Sequence, residues 1–152
     1  MKKSVFLLFL TLATSFLHAQ VDATLLRFPD VSETHITFVY AGDIWIADKD
    51  GGIASRLSSP TGTELSPKFS PDGKTIAFSG NYDGNLDVYT IPYLGGAPNR
   101  VTYHGGAVMG WTHDGSKILF SSGKASGRSR FNRLFTVDKD GGISKPLPPA
   151  YA

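Results

Sequence analysis

Along most of the chain the apolar residues come in short alternating runs bounded by turn-forming residues. In the clearest run, Ile76 and Phe78 alternate with Thr75 and Ala77, the period-2 spacing of a strand that packs one face more heavily than the other. No window sustains apolar residues at i, i+3, i+4 and i+7, and 17 glycines and 9 prolines break the chain throughout. Long amphipathic helices are therefore not expected, and the fold class predicted is all-β.

The runs recur with a period of about forty residues, in the range typical of arrays and propellers. Phe69-Ser70-Pro71-Asp72-Gly73-Lys74-Thr75-Ile76-Ala77-Phe78 matches Trp111-Thr112-His113-Asp114-Gly115-Ser116-Lys117-Ile118-Leu119-Phe120 position by position, and a weaker copy runs from Phe28-Pro29-Asp30 to Ile36-Thr37-Phe38 with two extra residues in its turn. Each copy continues with an apolar pair ending in an aromatic residue (Ile44-Trp45, Val88-Tyr89, Leu134-Phe135). A glycine pair follows (Gly51-Gly52, Gly95-Gly96, Gly141-Gly142), and five residues past its second member stands an aliphatic one, Leu57, Val101 or Leu147.

One repeat reads as a four-stranded meander. In the middle copy the strands are expected near Leu65–Ser70, Thr75–Ser79 and Asp87–Ile91, with a short fourth strand ending near Val101. Pro71-Asp72-Gly73 suits the first turn because Pro fixes φ, Asp bonds nearby backbone and Gly accepts positive φ. A single such sheet cannot bury its faces, whereas neighbouring blades around an axis can. The prediction is a partial β-propeller of three four-stranded antiparallel blades, about 24–58, 64–102 and 107–148. Closed propellers have about four to eight blades, so the chain is expected to be a piece of a longer protein.

The first nineteen residues stand apart. Lys2 and Lys3 precede an uncharged, Leu- and Phe-rich run from Ser4 to Leu17, with Ala19 as a cleavage-site residue. That is the pattern of a signal peptide, 1–19, and the apolar run is shorter than the ~20 residues of a membrane span. Export to the periplasm or the extracellular space is expected, with no span left after leader removal. Without cysteine there is no lipoprotein anchor or disulfide framework. Removing the leader takes two of the 15 basic residues and none of the 13 acidic ones, leaving 13 of each, and a neutral chain lacks the footprint of a nucleic-acid binder.

Through Ser70-Pro71-Asp72-Gly73-Lys74, Asp43-Ile44-Trp45, Asp87-Val88-Tyr89 and the glycine pairs, residues 21–152 resemble the PD40 or WD40-like propeller repeats of TolB and of tricorn proteases. A first blade directly after a leader, the segment Asn81-Tyr82-Asp83-Gly84-Asn85-Leu86-Asp87-Val88-Tyr89-Thr90-Ile91-Pro92 and a basic insertion in the third blade resemble the exported tricorn-like proteases more closely. The resemblance implies a non-catalytic propeller that gates or guides peptides, joined to a second propeller, a PDZ domain and a serine peptidase domain of the S41 type. The alternative it leaves open is a TolB-like envelope interaction module without enzymatic activity, and self-association of the chain is a further possibility. The third copy departs from the pattern, with Arg133 in place of the Asp before its third strand and His113 in place of the turn Pro.

No catalytic, cofactor-binding or metal-binding residue is assigned in this chain. Of the histidines, His18 leaves with the leader, His35 and His113 fall in turns, and His104 lies between the second and third blades; no Gly-x-Ser-x-Gly elbow occurs. Asn81, Asp83, Asn85 and Asp87 resemble the start of a calcium loop, but Pro92 stands where an EF-hand needs an acid, and a hairpin turn accounts for the same residues. The insertion Ser121 to Arg133 carries Lys124, Arg128, Arg130 and Arg133, read as a solvated loop or as a contact for anions or peptide carboxylates. Trp45, Tyr89 and Phe135 are read as packing residues between blades, against a peptide-stacking role; Asp43 and Asp87 are read as tying down turns.

Overall fold

The computed structural model describes residues 25–103, 105–123 and 132–148; the leader, His104 and most of the basic insertion lie outside them. Among the described residues twelve strands form three four-stranded antiparallel meanders. The first blade is β1 (Arg27–Val31), β2 (His35–Tyr40), β3 (Asp43–Asp48) and β4 (Ser55–Arg56). The second is β5 (Thr63–Phe69), β6 (Thr75–Asn81), β7 (Leu86–Pro92) and β8 (Asn99–Arg100). The third is β9 (Ala107–Trp111), β10 (Lys117–Ser122), β11 (Arg133–Asp138) and β12 (Lys145–Pro146). The first strands converge, with β5 packed beside both β1 and β9. Among the described residues no helix is long and apolar enough to cross a membrane.

Repeated sequence gives repeated register. Phe38 faces Trp45, Phe78 faces Tyr89 and Phe120 faces Phe135 across the second and third strands, and the last two pairs stack at 5.8 and 5.6 Å. Every glycine of the three pairs has φ between 92° and 132°, a region open to glycine at little cost. The aliphatic markers then make one equivalent bond each: the N–H groups of Leu57, Val101 and Leu147 donate to the carbonyls of Ile44, Val88 and Leu134 at 2.8, 2.8 and 2.9 Å.

Because side chains alternate along a strand, the middle blade serves two cores. Ile76, Phe78, Tyr89 and Ile91 join Ile44 and Ile46 of the first blade, while Ala77 and Val88 join Val108, Ile118, Phe120 and Phe135 of the third. Burial of large side chains in both clusters at ~25 cal/mol per Å² is the main force holding blade to blade.

The first turn differs from expectation. Phe28-Pro29 is not a counterpart of the turn Ser70-Pro71; it matches Ser66-Pro67 in a bulge of the inner strand, where Phe28 and Ser66 share φ values of 51° and 52°. Ser32 is the true counterpart of Ser70. Its N–H donates to the His35 carbonyl at 2.8 Å and its Oγ accepts the His35 N–H at 2.9 Å, as Ser70 does with Thr75 at 2.7 and 3.0 Å. The first turn is therefore shorter by two residues, and Asp30 lies within β1.

Candidate functional site at the blade boundaries

Among the described residues the two fully buried carboxylates, Glu64 and Asp87, both lie where one blade meets the next. Between the first two blades, Glu64 on β5 is fully buried. Its N–H donates to the Gly42 carbonyl at 2.8 Å, and its Oε2 accepts the Ile44 N–H at 2.8 Å. The Ser58 hydroxyl donates to the same oxygen and the Tyr82 hydroxyl to Oε1, so both oxygens are satisfied by donors from three other elements or turns. Burial, and then the bond to Glu64, push the Tyr82 phenol well above its ordinary value. Asp30 supplies a second crossing: Oδ2 accepts the Phe69 N–H at 2.8 Å and Oδ1 lies 3.0 Å from Lys68 Nζ.

Between the second and third blades the same task falls to Asp87, also fully buried. Oδ1 accepts the Gly105 N–H at 2.8 Å and the Thr102 hydroxyl at 3.2 Å, and Oδ2 takes Arg100 Nη2 at 2.5 Å. The hydroxyl of Thr102 in turn accepts the Val88 N–H at 2.9 Å, the place Ser58 takes for Ile44 at 3.1 Å. Gly106 occupies the position of Glu64, its N–H bonded to the Leu86 carbonyl as that of Glu64 is to Gly42. A Cβ there would lie 2.4 Å from Phe120, so no side chain fits and the carboxylate must come from Asp87 instead. Trp111 Nε1 completes the boundary, donating to the Lys68 carbonyl at 2.9 Å.

Asp87 thus ties down the connection into the third blade; its counterpart Asp43, less buried, pairs with Arg56 at 3.3 Å. Asp83 and Asp87 converge on one guanidinium, Arg100, at 2.7 and 2.5 Å, which fills the place a cation would take. Arg100 also lies over the Tyr103 ring at 4.6 Å, and its bond to Asp87 raises its already high pKa. Tyr89 and Phe135 are buried in the two cores, whereas Trp45 is half-buried on the outer face of the first blade, its Nε1 bonded to the Tyr40 carbonyl at 3.2 Å.

His35 sits beside the first turn, with Nδ1 2.7 Å from the Thr34 hydroxyl and Nε2 3.4 Å from Asp48. Asp48 is largely exposed and the ring packs edge-on against Tyr93 at 5.2 Å, an arrangement that pins the turn to its neighbours. In the third turn the Thr112 hydroxyl and the Ser116 N–H hold Asp114 down at about 2, and the Ser70 hydroxyl and Lys74 N–H lower Asp72 in the same way. Two open grooves run between successive first turns of the blades. One, of about 520 Å³, is lined by Glu33, Asp72, Lys74 and Tyr93 among others; the next, of about 440 Å³, by Lys74, Trp111, Asp114 and Lys139 among others.

Glu64, Ser58, Tyr82, Asp30 and Arg100 escape sequence reasoning. For Arg56 and Arg100 a signal does exist, since each directly precedes the aliphatic marker. Glu64 has none, because the bulge at Ser66-Pro67 resets the alternation that would otherwise turn Leu65 inward.

Among relatives, tricorn protease homolog 1 of Streptomyces coelicolor is 36% identical over 127 residues, covering 81% of this chain and 12% of its own. The crystal structure of the tricorn protease superposes with a TM-score of 0.69 at 28% identity, covering 81% of this chain and 13% of that one. That of a putative TolB from Agrobacterium tumefaciens gives 0.67 at 24% identity over 80% of this chain and 47% of that one, a likeness of fold. The chain therefore spans about an eighth of the tricorn relatives it matches. With the model of the tricorn protease N-terminal beta propeller domain matching residues 23–152, three blades in register and polar boundaries between them, the chain belongs to the tricorn protease N-terminal β-propeller family.

Proposed function

We propose that this chain is the non-catalytic front of an exported tricorn-type serine protease, a propeller segment that gates or guides peptides toward a C-terminal peptidase domain lying beyond these residues. The observation that carries the reading is how the polar groups are used. Every buried side-chain nitrogen and oxygen among the described residues has a hydrogen-bond partner, and the best-buried carboxylates, Glu64 and Asp87, join blades instead of facing a groove. Such residues build a rigid frame, and rigid frames leave recognition to their loops.

The two ends of the array differ in a way that supports this. At one end the turns of the second and third blades are near copies; at the other, the link from second to third strand grows from Ala41-Gly42, through Tyr82–Asn85, to the ten residues 123–132. Peptide contact is assigned to that variable end, with the Lys- and Arg-bearing insertion as the group that meets peptide carboxylates. Residues 1–19 supply the export signal.

The test is capture of the endogenous product with antibodies to residues 25–148, from separated envelope and cytosolic fractions. A chain far longer than 152 residues, recovered outside the cytosol, cleaving oligopeptides and silenced by a serine-directed reagent, supports the reading. Recovery without peptidase activity, together with a non-peptidase envelope partner, would replace it with the TolB-like alternative.

A further inference from the structure

The outer face of the third blade repeats the faces that the first and second blades bury, with three substitutions. Leu134 stands where Ile44 and Val88 stand, Leu147 where Leu57 and Val101 do, and Leu119 matches Ala77. Ile44 and Val88 are fully buried, yet Leu134 is 43% and Leu147 41% exposed. This is an apolar surface built on the same plan as two established interfaces.

The substitutions specify what covers it. Pro148 occupies the position of Ser58 and Thr102, so the hydroxyl that accepts the Ile44 and Val88 N–H groups has no counterpart for Leu134. Arg133 occupies the position of Asp43 and Asp87, and Pro146 that of Arg56 and Arg100. Each earlier boundary holds an Asp–Arg pair there; this one holds a single cation, with no ion pair to Arg133 among the described residues. An amide donor and a guanidinium side by side call for a carboxylate, and the first boundary shows where one arrives: Glu64, two residues before the inner-strand bulge, reaching the Ile44 N–H.

We propose that the open face of the third blade docks a further four-stranded blade whose inner strand carries a carboxylate at the place of Glu64, accepting the Leu134 N–H and pairing with Arg133. A second copy of this chain does not meet that description. Its first blade would bring Leu26 to the place of Glu64 and Arg27 beside it, as the matched bulges at Phe28-Pro29 and Ser66-Pro67 show, and Arg27 would repel Arg133. The proposal concerns the surface alone and stands whether or not the parent is a peptidase.

The experiment appends a copy of residues 59–102, which carries Glu64, directly after Pro148 of the whole chain, and reads amide hydrogen exchange at Leu134. Protection should rise at least tenfold. Glu64→Leu in the appended copy should abolish the gain, and so should an appended copy of residues 21–58 from the first blade. Arg133→Glu should cut protection several-fold, and adding Glu64→Gln in the copy, which keeps an acceptor without the charge, should recover part of it. Equal protection with Glu and Leu overturns the proposal, and so does an extended chain in which the Ile44 and Val88 amides lose protection, because a matched blade adds to the array. Self-association of the unmodified chain with Leu134 protected would assign the face to a second copy and also overturn it.

Discussion

The Glu64 carboxylate reaches out of its own blade to accept the backbone N–H of Ile44 at 2.8 Å, bolting the second blade to the first with both residues fully buried. Leu in place of Glu64 removes the acceptor from the Ile44 N–H and from the Ser58 and Tyr82 hydroxyls together. Each buried donor left unsatisfied costs about 1–3 kcal/mol, and Ser58 can still serve Ile44, so the net loss expected for Glu64→Leu is about 3 kcal/mol. Glu64→Gln keeps acceptor capacity on one oxygen and should lose about half as much. Urea unfolding of the three proteins checks the order; equal midpoints for all three would remove Glu64 from the boundary.

Tyr82 predicts an alkaline limit. Its phenol is held well above its ordinary value in the folded chain, by burial and by Glu64, while in the unfolded chain it titrates near pH 10. A raised folded pKa gives stability that is fully present below the unfolded pKa and falls as pH rises beyond it. Unfolding free energy should therefore decline above about pH 10, and Tyr82→Phe should flatten that decline while lowering stability at pH 7 by about 1 kcal/mol for the lost bond. Burial raises Tyr89 as well, so some alkaline slope persists; the difference between wild type and variant is the readout, and parallel pH profiles would contradict it.

The packing prediction separates three residues that sequence treats alike. Tyr89 and Phe135 are buried against a neighbouring blade and Trp45 is half-buried on an outer face. Truncating a buried aromatic side chain costs about 3–5 kcal/mol, so Phe135→Ala should fall in that range and Trp45→Ala should cost under half as much. Thermal unfolding of the two variants ranks them, and an equal loss would mean that Trp45 is covered in solution.

The blades, their order and their aromatic registers are all legible in the chain because each depends on local signals repeated three times: a turn with Asp and Gly, an aromatic at one strand position, a glycine pair, an aliphatic residue five places on. Failures occur where a signal has two physical causes. Phe28-Pro29-Asp30 reads as a turn because Pro and Asp favour turns, yet Pro also favours a bulged inner strand, and the structure takes that option and frees Asp30 to cross to Phe69. Glu64 is hidden for a related reason, since no pattern of hydrophobicity announces a carboxylate whose partners lie on another blade.

Ala41-Gly42 offers a change that should strengthen the chain. The two residues close the hairpin between β2 and β3 with φ values of 53° and 92°, and a two-residue hairpin turn with both φ positive is the type favoured by Asn-Gly. Alanine in the left-handed region costs roughly 1–2 kcal/mol because its Cβ crowds the following carbonyl, and Asn offsets part of that cost through local hydrogen bonds. Gly42 must stay because its φ of 92° is open to glycine at little cost and strained for other residues, but nothing in the boundary uses the Ala41 side chain, which is exposed. Ala41→Asn should therefore raise unfolding free energy by about 0.5–1 kcal/mol, and by the same amount in a Glu64→Leu background, because the turn gains locally and not through the bolt beside it. A gain that vanishes in that background would show that turn and boundary form together.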